Sequence, residues 1–479
     1  MRQAAFLRDD VLSHADLGPR FHARMRRLEP SYLLADWASD RAGHPRGLPL
    51  LAQARWRRFL ERLQAAAGQG WQASPELLGA EPAALHATPS VPWAHLDSDT
   101  HWQIVRDLAD LVFEAEGAPG EAEPVKRAAE LVSAYAERWW RLDRLHLRVL
   151  VGAREAHLEA ARQVADQAYF DCVARLADRF SALVEQEGAW PPEGTTEIAA
   201  LQTSLWDVRG GRKGIIISDV CRWDLAQDLA KLLESEDCHL TPVLATLPAN
   251  TPFGMAALLP LAGAPVVVEF GTGPPTIRQG DAKDLDTRDG RKAFLRAAVV
   301  DAKDKPQVEF IDLEALLKGG KVPNTPLAVV LDNGIDEQGH SGAGHLLALV
   351  ETFVCNLWRA IGALHQAGVE RVHVVTDHVF LLLPPEAVDA LGRHDVLPVQ
   401  ARYKHQRSAA LKPGAPVAEV IRLPAPLAPD VLLGIPATSG RWRRRSRICT
   451  AASRSRSVSF HISCRGACCR GPRSGWRSR

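Results

Sequence analysis

Three stretches of the sequence end an apolar run on side chains that can bind a cation. "KGIIISDV" reaches Asp219 after three isoleucines, "LAVVLDNGIDEQGH" carries Asp336 and His340, and "RVHVVTDHVF" carries Asp377 and His378. Carboxylates and imidazoles without cysteine suit Zn²⁺, with Mn²⁺ or Mg²⁺ as alternatives. Asp336 and His340 stand four residues apart around Gly339, where a tight turn is expected to aim both at one cation. Asp377 and His378 are adjacent, so only a non-helical backbone lets both point inward. Taken singly each has a structural explanation, since an Asp at a strand end is a common helix N-cap and a single His often serves the core or the surface. Their joint placement is what points to a metal site.

A hydroxyl completes the set. In "LPANTPFGMAALLP", Pro252 at the first helical position predicts Thr251 as the N-cap of an apolar helix. A capping hydroxyl satisfies backbone N–H groups and needs no further role. Beside a cation, however, the same hydroxyl can have its pKa lowered enough to attack phosphorus, and this makes Thr251 the expected nucleophile.

These residues need a scaffold that brings strand ends together. After residue 205, β-branched runs alternate with helical patterns: "GIIIS" then 222–233, "APVVVEF" then 291–298, "LAVVLD" then 345–367, and "RVHVVTD" then a proline-rich stretch. Strands apolar throughout are buried on both faces, which predicts an α/β fold with a mostly parallel sheet flanked by helices. In such sheets ligands collect at the carboxyl ends of the strands, where all three motifs would lie. Residues 1–195 read as an all-α N-terminal region, clearest over 125–184, which holds no Pro and only Gly152. The Trp139–Trp140 pair is expected to pack in a core or interface. "GAWPPEGTTE" then breaks the helical pattern and sets a boundary near 195.

Composition bounds the class. At 479 residues, 46% apolar and 24% charged, the chain can form two or three domains with real cores. The start has no signal-peptide pattern, and "GMAALLPLAGAPVVVEF", taken as the most apolar segment, is interrupted by Pro260 and Pro265. A cytoplasmic protein with no membrane association is expected. The near balance of 58 basic and 57 acidic residues hides a tail, 439–479, with 12 Arg, no Lys and no acid. The tail also holds four of the eight Cys; the other four (Cys172, Cys221, Cys238, Cys355) show no metal spacing and read as reduced structural thiols.

The four ordered motifs "IIISDVCRWDLAQDLAKLL", "LPANTPFGMAALLP", "IDEQGH" and "VVTDHVF" resemble the PglZ domain of the alkaline phosphatase superfamily over roughly 212–435, which sets the expected domain at 205–435. The resemblance implies an alkaline-phosphatase-like sheet and a metal-dependent phosphatase or phosphodiesterase within a BREX bacteriophage-exclusion system. Its partners would be other BREX proteins, with DNA or a nucleotide phosphodiester as substrate. Asp219, Thr251, Asp377 and His378 would surround one metal, and Asp336 with His340 would hold a second. Thr251 would form a phospho-enzyme, and Arg222 would bind a phosphate oxygen unless it is a solvated surface residue. Two departures stand out. Val379 replaces a Gly and would crowd its loop, and the family's C-terminal His-Gly-Gly segment is missing, with only His394 and His405 as substitutes. The missing segment leaves the second site incomplete and favours an alternative reading, a catalytically silent PglZ scaffold subunit. A phosphoglycerate-mutase-like enzyme would share the fold, while "NTPFGM" lacks the Cys-x-Pro-x-Arg of a sulfatase.

The tail offers a reason for the absence. Its Arg, Ser, Cys and Trp content is what a GC-rich gene yields out of frame, and shifted codons over 448–466 permit Leu-His-Gly-Gly-Ile-Ser-Leu-Gln-Glu-Cys-Val-Ile-Pro-His-Leu. A frameshift between about 435 and 447 would leave the sheet without its final strand and expose an edge. The rival reading is a basic arm that contacts nucleic-acid phosphates. Nucleotides over 430–470 are expected to encode the His-Gly-Gly segment in a second frame; codons incompatible with it exclude the frameshift.

Overall fold

The computed structural model describes residues 14, 17–28, 49–79, 102–233, 237–263, 266–269, 276–280, 284–341, 343–382, 409–411, 420–436, 448–451 and 458–465. The chain divides into two compact units, one of residues 1–117 and 145–171, the other of 118–144 and 172–479.

Before Lys213 every described element is helical: α1 (Leu17–Leu28), α2 (Pro49–Gln69), α3 (Trp102–Ala122), α4 (Ala128–Ala134), α5 (Trp140–Glu155), α6 (Glu159–Glu187) and α7 (Gln202–Trp206), with a π-turn at Tyr135–Trp139 joining α4 to α5. In the first unit Trp56, Phe59 and Trp102 stack edge and face, with centroids 4.8 to 5.8 Å apart. His146 is buried there, 2.9 Å from Asp166 and stacked at 3.8 Å on Tyr169. In the second unit Trp139 is buried, as its sequence context predicts.

The α/β part of the second unit starts at β1 (Lys213–Ser218) and continues through α8 (Trp223–Leu233), β2 (Cys238–Leu244), α9 (Thr251–Ala257), β3 (Val267–Glu269), β4 (Thr276–Arg278), α10 (Arg288–Ala298) and β5 (Val308–Asp312). It proceeds with α11 (Leu313–Leu317), β6 (Leu327–Asp332), α12 (Gly334–Ser341), α13 (Ala343–Gln366), β7 (Arg371–Val375) and β8 (Val379–Leu382). Then come β9 (Ala409–Leu411), β10 (Val420–Ala425), β11 (Ala428–Pro436), β12 (Ile448–Ala451) and β13 (Val458–Arg465).

Four strands, in the order β7-β1-β6-β5, form a parallel block. β1 lies at its centre, and every one of its residues is buried. Burial of Ile215, Ile216 and Ile217 contributes roughly 1.5–3 kcal/mol each. Registers of Ser218 with Asp332 and Ile217 with Val375 bring three strand ends to one edge. Leu346–Gln366, inside α13, is by length and composition apolar enough to cross a bilayer. In this fold its Leu346, Val350, Leu357, Ile361 and Leu364 are buried, and α13 packs on α8, α11 and β7.

The structure corrects two strand expectations. "APVVVEF" contributes β3, which among the described residues pairs with β4 in a separate two-stranded antiparallel sheet, and its Val267 is 57% exposed. The tail, expected to leave the sheet without a final strand, supplies β13, which lies antiparallel between β2 and β7. The reason is visible in the residues. Val458, Phe460, Ile462 and Cys464 alternate with Ser459, His461, Ser463 and Arg465, the period of a strand. β12 likewise pairs with β8.

At the opposite end of β1, the buried Lys213 Nζ donates to the carbonyls of Ser204 (2.7 Å), Leu205 (3.3 Å) and Asp207 (2.7 Å). It thereby caps the carboxyl end of α7 with a cation and ties that helix to the central strand. Lys213→Met leaves these carbonyls without their donor and is expected to cost about 1–3 kcal/mol, read as a lower urea midpoint.

Candidate metal centre and nucleophile

The site is built from the turns that follow β1 and β7. Asp219 directly follows β1, and its N–H donates to the Asp332 carbonyl at 2.8 Å, which extends the β1–β6 ladder by one step. Val220 then takes φ +65°, a left-handed conformation that a β-branched residue adopts only under constraint. The turn aims two consecutive amides at the end of β7. Val220 N–H donates to Asp377 Oδ1 at 3.3 Å and Cys221 N–H to Thr376 Oγ1 at 3.0 Å. Thr376 Oγ1 in turn donates to the His378 carbonyl at 2.9 Å, holding the non-helical backbone that two adjacent ligands require.

Asp219, Asp377 and His378 form a buried group whose ligand atoms lie within 4.8 Å of one another. His378 Nε2 is 3.7 Å from Asp219 Oδ1 and 3.4 Å from Asp377 Oδ2. Neither of these carboxylate oxygens has a hydrogen-bond partner among the described residues. Burial and the neighbouring Asp377 raise Asp219 well above the usual carboxylate range. Burial also pushes Asp377 up to about 7 and lowers His378. Two acids and an imidazole converging there, with Asp219 Oδ1 and Asp377 Oδ2 left without a hydrogen bond among the described residues, fit one divalent cation by donor type and placement.

Thr251 stands against this group, its Oγ1 3.0 Å from His378 Nε2. It is not the N-cap expected from the sequence. Asn250 fills that position, its Oδ1 accepting from Phe253 N–H at 3.1 Å, and Thr251 is the first residue of α9. The cap one residue earlier leaves the Thr251 hydroxyl out of helix capping. Close approach of α9 to the β7 end depends on Gly254, where a Cβ would come 2.7 Å from the Asp377 carbonyl oxygen.

The second expected pair behaves differently. Asp336 and His340 lie in α12, so helix rather than a tight turn at Gly339 connects them, one turn apart. The Asp336 charge acts on both Asp219 and His378, but Asp336 is not among the converging ligands. The His340 side chain, His394 and His405 lie outside the described residues.

Arg222 is not the solvated surface residue that the sequence allowed, and its guanidinium is engaged away from the cavity that contains Thr251. It is buried in a bidentate pair with Asp224, Nε to Oδ1 at 2.9 Å and Nη2 to Oδ2 at 2.5 Å. It also lies 4.6 Å over the Phe380 ring and donates to the Asp143 carbonyl at 3.3 Å. With Trp223 Nε1 bonded to the Ala136 carbonyl at 3.1 Å and Arg144 to Asp228 at 2.8 Å, it secures α8 to the helical stretch 136–144. Val379 does not crowd a loop; it opens β8, buried and paired with Ala451.

Sequence reasoning missed Asp332 and the wall opposite Thr251. The last residue of β6, Asp332 is buried, accepts from Ser218 Oγ at 2.7 Å and Gly334 N–H at 2.9 Å, and is raised by burial. Its place in the quoted strand-end motif was the available signal. A cavity of about 240 Å³ joins Thr251, Asp219 and Asp332 to Arg288, Arg291 and Lys292 of α10.

No protein-family model matches the chain, and no curated protein matches it in sequence.

Asp377→Asn is expected to raise the stability of metal-free protein by roughly 1–3 kcal/mol, because one of two buried acids is neutralised. It should also abolish stabilisation by Zn²⁺ or Mn²⁺, which for the parent reaches about 2.7 kcal/mol at a hundredfold excess over Kd. Thermal melts of both proteins with and without metal check this pair of opposite effects.

Proposed function

We propose that the chain is a PglZ-type, metal-dependent phosphatase or phosphodiesterase with Thr251 as nucleophile, working in the cytoplasm with other BREX proteins on a DNA or nucleotide phosphodiester. The observation that carries the reading is the 3.0 Å contact of Thr251 Oγ1, free of capping duty, with His378 in the Asp219–Asp377–His378 group. Asp219, Asp377 and His378 would hold a first divalent cation, and Asp336 with His340 a second. Bound there, a cation would neutralise the buried carboxylates and polarise a phosphoryl oxygen.

The chain's own residues account for the rest. The neutral His378 Nε2 accepts the Thr251 hydroxyl hydrogen bond, which sets Oγ1 beside the nitrogen whose lone pair would instead ligate a bound cation. Thr251 would release its hydroxyl proton to solvent as Oγ1 bonds to phosphorus and the P–O bond to the ester oxygen breaks, that oxygen leaving as the alcohol after taking a proton from water. A second water would then cleave the phosphothreonine. The alkaline-phosphatase-like fold belongs to the same proposal, and the parallel block with its site at the strand carboxyl ends supports it.

One observation favours the silent-scaffold alternative for the chain as it stands. β12 sets Thr450 opposite Phe380, two residues beyond His378. In the shifted reading the His of His-Gly-Gly draws two of its bases from the Thr450 codon, so a ligand would be lost at this position.

Turnover of a chromogenic phosphodiester with Zn²⁺, Mn²⁺ or Mg²⁺ tests both readings. Thr251→Ala is expected to lower kcat by about a thousandfold or more, in line with loss of a covalent nucleophile. Equal turnover by the two proteins removes Thr251 from the chemistry, and no turnover with any ion favours the scaffold.

A further inference from the structure

α10 carries Arg288, Arg291 and Lys292 at i, i+3 and i+4, hence on one face, and all three line the cavity that contains Thr251 and Asp219. Arg291 lies within the field of Asp219 and Asp377. Its Nη1 donates to the Leu285 and Asp286 carbonyls at 3.1 and 3.0 Å, which fixes the guanidinium plane. Among the described residues no hydrogen bond occupies its Nε or Nη2. Such a pre-oriented fork matches the oxygens of a phosphoryl group.

Arg288 pairs through Nη2 with Asp312 at the exposed rim, while its Nε has no hydrogen-bond partner among the described residues. Lys292 Nζ stands 5.6 Å from the Phe310 centroid, on the same wall. A volume of about 240 Å³ accepts a phosphoryl group and part of its ester, so a larger substrate must run out past these two cations. Arg222 cannot share the task, being committed to Asp224.

We propose that Arg291 grips the phosphoryl group presented to Thr251, and that Arg288 and Lys292 receive a second phosphate of the same substrate. The site is thereby built for two neighbouring phosphates, a chemistry that nucleoside polyphosphates and oligonucleotide strands share. The position of the reacting phosphorus rests on the hydrolase reading; the binding pattern does not depend on turnover.

Fluorescence anisotropy on Mn²⁺-loaded Thr251→Ala protein separates the two. The probes are a labelled dinucleotide with and without a 5′-phosphate, and a fluorescent nucleoside diphosphate beside its monophosphate. The extra phosphate is expected to tighten binding about tenfold in at least one pair, and that pair identifies the source. Arg288→Gln with Lys292→Gln should erase this gain, weakening the two-phosphate probe about tenfold more than its single-phosphate partner. Arg291→Met should weaken both members about tenfold or more, with partial recovery in Arg291→Lys. Equal affinity within both pairs, no binding of any probe, or parental binding by a folded Arg291→Met protein would overturn the proposal. Should Arg291→Met not fold, the double variant and Arg291→Lys still decide it. Turnover by the parent protein judges the hydrolase reading separately.

Discussion

Parallel pairing of β1 with β7 brings two carboxylates into one buried corner, and the site follows from that constraint. Asp219 lies one residue past β1 and Asp377 two past β7, so the register that pairs Ile217 with Val375 sets them side by side. Burial raises both carboxyls, and the neighbouring Asp377 raises Asp219 further. The cost is tolerated because buried Ile215, Ile216 and Ile217 of β1 and Val372, Val374 and Val375 of β7 stabilise the strands beneath, and the turns above are hydrogen-bonded. The left-handed Val220 is part of the same arrangement: it spends backbone strain to aim two amides at Thr376 and Asp377.

Around this corner the neighbouring elements divide their duties. Asn250 caps α9, which leaves Thr251 to face His378, and Gly254 lets the helix approach the Asp377 backbone. Arg222, adjacent in sequence to the site, serves architecture instead. Its guanidinium is enclosed by Asp224, Phe380 and the Asp143 carbonyl, holding α8 against the helical stretch before it. α10 then supplies the positive wall that the acidic corner lacks, so anionic and cationic groups face one another across a single cavity.

The tail shows how composition can mislead. Counting Arg, Ser and Cys over 439–479 suggests a segment foreign to the fold, yet its alternation of apolar and polar residues over Val458–Arg465 is a strand pattern, and the fold uses it between β2 and β7. Periodicity, rather than composition, decides whether a segment can join a sheet, because only the former matches the pleat.

The sequence by itself determined the α/β alternation and the strands β1, β6 and β7 with the polar groups that end them, while the grouping of Asp219, Asp377 and His378 with Thr251 was only implied by the resemblance. Runs of buried apolar residues and the polar groups that end them are local signals. Only the tertiary structure decided that Asn250 is the cap, that Asp336 and His340 share a helix, that Arg222 is a buried ion pair, and that β3 is an exposed hairpin strand. It also brought Arg291 into one cavity with Thr251, 40 residues away in the chain. Partner choice of this kind depends on which side chains meet across the fold, and no spacing along the chain encodes a distance through space.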